Sequence, residues 1–153
     1  MEGVWGNLSS ERFPPRRNMT ERKKILFVCV GNTCRSQMAE GFARAYGAGS
    51  VEVRSAGTSA MGVVNRSTIE TMKEKGIDIS EQASEQLTDE MLDWADVVVT
   101  LGCCSAESIC PVGFRGTKVD WPIDDPLGMP REFMRRVRDD IEKRVRELID
   151  SEK

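Results

Sequence analysis

Six consecutive apolar residues, Ile25-Leu26-Phe27-Val28-Cys29-Val30, run without a polar break into Gly31-Asn32. A strand with one wet face alternates apolar and polar positions, so an unbroken run calls for burial on both faces. Behind it, Arg35 to Tyr46 places Ala39, Phe42, Ala43 and Tyr46 at helical spacing, with Gly47 as a stop. Strand, tight loop and helix in that order predict one unit of a parallel sheet.

The pattern recurs along the chain. Val51–Ser55 reads as a second strand, Asn65–Lys75 as a helix stopped by Gly76, and Asp96–Leu101 as a third strand. Thr88 is placed to cap a short helix ending at Trp94, and Lys118–Trp121 reads as a short fourth strand. Gly102–Gly116 reads as irregular, and Met129–Asp150 as a long final helix with Val137, Ile141, Val145 and Leu148 as its apolar stripe. These elements predict an α/β fold, a four-stranded parallel sheet covered on both faces as a three-layer α/β/α sandwich. At 153 residues the chain is long enough for one domain with a real core. That domain is expected over residues 23–153, with residues 1–22, broken by Pro14-Pro15, expected to be a mobile extension.

Charge and hydropathy remove several function classes. A formal net charge of −3 offers no argument for nucleic acid, and no apolar run approaches the roughly 20 residues that span a bilayer. The opening residues lack a signal-peptide pattern, so a cytoplasmic location is expected. Five cysteines in a chain without histidine point to redox or metal chemistry rather than a disulfide scaffold.

The chemistry concentrates where the first strand meets its helix. Cys29 and Arg35 bracket Val30, Gly31, Asn32, Thr33 and Cys34, with Ser36 next, in a C-x5-R loop. Backbone N–H groups of such a loop curl into an anion nest, aided by the free N–H groups at the helix N-terminus. Gly31 and Asn32 tolerate the left-handed backbone this requires. Arg35 offers a planar fork to two oxygens of a tetrahedral oxyanion, and the positive setting favours the reactive thiolate of Cys29. Ser36 is placed to donate a hydrogen bond to that thiolate. In a parallel sheet the loop after Leu101 leaves at the same edge, which brings the cysteines after Leu101 within reach of Cys29.

The stretch CVGNTCRSQMAEG, residues 29–41, resembles the phosphate loop of the low-molecular-weight tyrosine phosphatase superfamily, and SQMAEG resembles its arsenate reductases more than its phosphatases. The resemblance extends over about Lys23 to Ile149 and implies that family's fold, with flavodoxin-like winding. It implies Cys29 as nucleophile and Asp125, in Asp125-Pro126, as general acid. It also implies no cofactor, and a thiol cascade that reduces arsenate to arsenite with phosphate as a competing oxyanion. In that cascade Cys29 attacks arsenate, Cys103 or Cys104 attacks the sulfur of Cys29, and Cys110 takes over the disulfide. Thioredoxin or another thiol reductant then regenerates the enzyme. The six residues between Cys103 and Cys110 match the spacing in thioredoxin-coupled members, whereas the adjacent Cys104 is a departure.

Three other readings compete. A low-molecular-weight protein tyrosine phosphatase would use only Cys29, Arg35 and Asp125. Such phosphatases commonly carry tyrosines after Asp-Pro, but here Leu127-Gly128-Met129 follows and the only tyrosine is Tyr46. A non-enzymatic oxyanion- or metal-sensing redox protein would use the cysteine cluster as a switch. A zinc site from Cys34, Cys103, Cys104 and Cys110 has poor ligand spacing, so no metal is expected. The family's potassium site would correspond to Asn32, Glu40 and Ser55, with Glu85 where an aspartate is expected.

Overall fold

The computed structural model describes residues 22–152; the expected extension over residues 1–22 lies outside them except for Arg22. The element order is β1 (Lys23–Cys29), α1 (Arg35–Tyr46), β2 (Val51–Gly57), α2 (Arg66–Lys73), α3 (Asp89–Trp94), β3 (Val97–Leu101), α4 (Ala106–Ile109), β4 (Thr117–Trp121) and α5 (Arg131–Glu152). The strands form one sheet in the order β2-β1-β3-β4, and every pairing is parallel. This is the predicted three-layer α/β/α arrangement.

The apolar run of β1 is explained by its central place. Ile25 and Phe27 face a core shared with Met38 and Phe42 of α1 and Ile141 and Val145 of α5. Leu26 and Val28 face the opposite core, with Met91 and Leu92 of α3 and Ala106 of α4. Side chains alternate across the sheet, so only an apolar residue at each of these positions serves both cores.

Helix boundaries follow local chemistry. The Asn65 side chain accepts the Ser67 N–H at 2.9 Å, and Thr88 Oγ1 accepts the Met91 N–H at 3.3 Å, so each satisfies a donor left free at a helix start. The final helix begins at Arg131 because Pro130 suits only the entry to a helix. Its buried stripe ends on Ile149, with Leu148 only partly buried, one residue beyond the expected position. The segment expected to be irregular contains α4, a single turn capped by Ser105, whose Oγ accepts the Ser108 N–H at 3.1 Å.

The order of strands places the site. The chain winds outward from β1 to β2 in one direction, and from β3 to β4 in the other. A crevice therefore opens between the carboxyl ends of β1 and β3. Val28 pairs with Thr100, so the next residues, Cys29 and Leu101, stand side by side at that edge.

Candidate active site

The loop from Cys29 to Cys34 is held by its carbonyl groups. Thr58, Ser59 and Met61 donate backbone N–H groups to the carbonyls of Cys29, Val30 and Gly31 at 3.0, 2.8 and 2.8 Å. Gln37 Nε2 reaches the Asn32 carbonyl at 3.0 Å, and the N–H groups of Asn65 and Met38 reach those of Thr33 and Cys34 at 3.1 and 3.0 Å. In a trans peptide the N–H points opposite the C=O, so this ring of outward carbonyls turns the N–H groups of residues 30–35 inward. The loop is thereby an anion nest. Asn32 carries the left-handed backbone this requires, at φ 48°.

A cavity of about 140 Å³ lies over the nest, lined by Cys29, Val30, Gly31, Thr33, Cys34, Arg35, Ser59, Met61, Asp125 and Leu127. Arg35 crosses it as a fixed fork. Its Nη1 donates to the carbonyls of Leu101 and Ile123 at 2.7 and 3.0 Å, while Nη2 lies 3.9 Å from Asp125 Oδ2. Two carbonyls thus immobilise one edge of a guanidinium that is 7% exposed, leaving the other toward the cavity and Asp125. Thr33 Oγ1 donates to Val63 O at 2.5 Å and ties the loop to the segment after β2. Ser59 and Met61 are site residues that the sequence reading missed. Nothing in the stretch around them suggests a site; they reach it because they follow the carboxyl end of β2.

The side chains of two residues expected in the oxyanion site, Asn32 and Ser36, work from behind the nest. Asn32 and Ser36 are fully buried and do not line the cavity. Asn32 Nδ2 donates to Ser36 Oγ at 2.7 Å and to Ser55 Oγ at 3.0 Å, while Asn32 Oδ1 accepts the Glu85 N–H at 2.8 Å. Ser36 Oγ also lies 2.8 Å from Cys29 Sγ, so its hydroxyl is placed to donate to the sulfur once Cys29 is a thiolate. Cys34, beside the nucleophile, has its thiol pushed up to about 11, chiefly by burial, and stays protonated near neutral pH.

The positions corresponding to a potassium site do not fit that ion. Glu40 Oε1 accepts from Ser55 Oγ at 2.5 Å, and Oε2 accepts from Arg44 Nε at 2.9 Å and Nη2 at 2.7 Å. Asn32 presents N–H groups, not its oxygen, to Ser55. Protein donors occupy the Glu40 and Ser55 oxygens a hard cation would need, and the Arg44 guanidinium already balances the Glu40 charge.

All five thiols are free. Cys103 Sγ points to the Val28 carbonyl at 3.7 Å, in the strand that ends on Cys29. Its thiol is raised to about 12 by burial and by a hydrogen bond with Cys104, with Cys29 and Arg35 also acting on it. Cys110 follows α4 and packs against the Leu26–Val28–Ala106 core, where burial raises its thiol above the ordinary range. None of the three lines the cavity itself. The four thiols weighed as zinc ligands are not gathered: among the described residues no three His, Cys, Asp or Glu side chains form a metal-binding group. No helix among those residues is long and apolar enough to cross a membrane.

Residues 24–153 match the family of low molecular weight phosphotyrosine protein phosphatases. An arsenate reductase of Brevibacillus brevis is 42% identical over 134 residues, 87% of this chain and 98% of that protein. A solved arsenate reductase in its phosphate-binding state aligns with a TM-score of 0.77 at 41% identity, over 86% of this chain and 99% of its own. The thioredoxin-dependent arsenate reductase of Corynebacterium glutamicum aligns at 0.72 with 32% identity, over 85% of this chain and 61% of its own. The match takes in the anion loop, the cysteine segment and the Asp-Pro loop alike, and this chain belongs to the low molecular weight phosphotyrosine protein phosphatase family.

Proposed function

We propose that this protein reduces arsenate to arsenite through a thiol cascade, with residues 23–153 acting as one reductase domain. The observation that carries the reading is the position of Cys103, whose thiol is directed at Val28 beside Cys29 at the edge where the anion nest opens. A phosphatase needs no second thiol there. The cavity walls favour the same reading, since Met61 and Leu127 stand where an aromatic substrate ring would need a flat aromatic wall.

The nest and Arg35 hold the oxyanion over Cys29. The Cys29 thiolate attacks arsenic, Asp125 protonates the departing oxygen, which leaves as water, and a sulfur–arsenic bond forms. Cys103 attacks the Cys29 sulfur, its thiol proton passing to an oxygen of the departing arsenite. The sulfur–arsenic electron pair passes to arsenic, which falls from pentavalent to trivalent and leaves as arsenite, and Cys29–Cys103 becomes a disulfide. Cys110 then attacks Cys103, releasing the Cys29 thiolate and moving the disulfide outward. A dithiol reductant such as thioredoxin restores the two thiols.

Moving the disulfide asks α4 to yield, because that turn separates Cys103 from Cys110. A four-residue helix is cheap to open. This one is held by its Ser105 cap and by the Ala106 N–H donating to Asp120 Oδ1 at 2.8 Å.

The test is one arsenate turnover by the Cys110→Ser protein, followed by mass mapping of the trapped disulfide. One arsenite per enzyme and a Cys29–Cys103 link are expected, while the unaltered protein consumes NADPH steadily with thioredoxin and its reductase. A Cys29–Cys104 link would give the second role to the neighbour. Continued turnover of Cys110→Ser with thioredoxin would remove the three-thiol scheme. Hydrolysis of p-nitrophenyl phosphate without arsenate reduction would favour the phosphatase reading.

A further inference from the structure

The cascade employs Cys103 and Cys110 and leaves Cys104 without a task. Resting on the reading above for the source of the ligand, we infer that Cys103 and Cys104 form a two-thiol site for trivalent arsenic, which retains arsenite on the reduced protein.

Adjacent side chains of an extended chain point to opposite faces, so two neighbouring thiols ordinarily diverge. Here the two neighbouring side chains interact, both thiols are free and both residues are half-buried. The chain leaves β3 for this pair through Gly102 in the left-handed conformation, φ 77°. A Cβ at Gly102 would lie 2.8 Å from Arg35 Nη1, so the pair begins one residue from the guanidinium of the anion site. Arsenite formed over Cys29 is released beside it.

The binding chemistry involves no redox change. Each thiol displaces one hydroxyl of arsenous acid as water, so As(OH)₃ and two Cys–SH give a dithiol-bound As–OH and two water molecules. The thiols enter protonated, and burial of Cys103 is no obstacle. Soft trivalent arsenic prefers soft sulfur donors, as soft metal ions do. The site has two sulfur ligands: Cys110 packs against the Leu26–Val28–Ala106 core, Cys34 is buried in the anion loop, and Cys29 stays against the Ser36 hydroxyl. The third position on arsenic keeps its hydroxyl. Since the cascade needs Cys103 free, bound arsenite holds the reduced protein out of the next turnover, which makes the site a product-inhibition device.

The experiment titrates fully reduced protein with sodium arsenite by calorimetry, without arsenate or thioredoxin, and maps the arsenic adduct by mass spectrometry. One arsenite per chain is expected on the peptide carrying Cys103 and Cys104, with two fewer thiols reacting with Ellman's reagent. Cys103→Ser and Cys104→Ser should each weaken binding about 100-fold, by removing the second, intramolecular bond. Cys110→Ser should bind as the unaltered protein does. Unchanged affinity in Cys104→Ser, an adduct elsewhere, or no binding by the unaltered protein each overturns the proposal. Adduct mapping on the unaltered protein decides the matter even if a variant misfolds. Arsenate turnover plays no part in the assay, so the two readings fail separately.

Discussion

Ser36 Oγ lies 2.8 Å from Cys29 Sγ and accepts from the Asn32 amide, and a Cys29 thiolate can only accept, so the serine hydroxyl is the donor to the reactive nucleophile. Ser36→Ala removes that donor and leaves a buried Asn32 N–H one partner short. A hydrogen bond to a charged group contributes about 1.5–3 kcal/mol, so single-turnover arsenite release should slow on the order of 10- to 100-fold. Alkylation of Cys29 by iodoacetamide at pH 7 should slow in parallel. An unchanged alkylation rate would show that the hydroxyl does not act on the thiolate.

Arg44 supplies a built-in cation to the network that runs from Glu40 through Ser55 and Asn32 to Ser36. The arsenate reductase rate of the unaltered protein should therefore be the same in potassium chloride and choline chloride. Arg44 is more than half exposed, and such an ion pair contributes about 0.2–1 kcal/mol, so Arg44→Gln should lower the rate by no more than about 5-fold. That variant, with one Glu40 oxygen released, should acquire a preference for potassium. Strong potassium stimulation of the unaltered protein would contradict the assignment.

Gly102 is bound to its residue type by shape as well as backbone. Its φ is 77°, and a Cβ there would stand 2.0 Å from the Ile123 carbonyl oxygen, which also accepts from Arg35. Gly102→Ala should cost about 1–3 kcal/mol from the backbone conformation alone, read as a lower melting temperature. Displacing the strand end that holds Arg35 should cut kcat/KM for arsenate about 100-fold. A variant with native melting and native kinetics would show that the 122–125 segment yields freely.

Glu74 gathers three arginines of α5: Nη2 of Arg135 at 2.8 Å, Nη1 of Arg138 at 2.7 Å and Nη1 of Arg131 at 3.8 Å. The hydrogen bonds from Arg135 and Arg138 hold its carboxyl down to about 2, against an ordinary value of 4.5. A depressed carboxyl stabilises the fold above its unfolded value and loses that contribution as pH falls from about 4.5 through about 2. Glu74→Gln should therefore melt below the unaltered protein at pH 7, and the gap should narrow in melts taken toward pH 2. A gap that persists undiminished at pH 2 would assign the effect to packing rather than charge.

Much of the fold was legible because it rests on local rules. The unbroken run at Ile25–Val30 required two-sided burial, and α1 was read to its observed limits because helical spacing and Gly47 define it locally. The turn α4 escaped notice because four residues carry no periodicity, and its Ala106 N–H is satisfied by Asp120 from β4. Of the candidate site, Cys29, Arg35 and the nest were legible in one stretch, since a strand, a loop and a helix N-terminus lie in series along the chain.

The sequence by itself determined an oxyanion loop on a parallel sheet, through the type and spacing of residues 25–46. Only the tertiary structure decided which partners that loop has. Ser59 and Met61 join the cavity, Asn32 and Ser36 turn behind it, and Arg44 neutralises Glu40 near it. The physical reason is the strand order: placing β1 between β2 and β3 brings three distant loops to one edge, and no local pattern encodes that meeting. The same order sets Cys103 beside the end of β1.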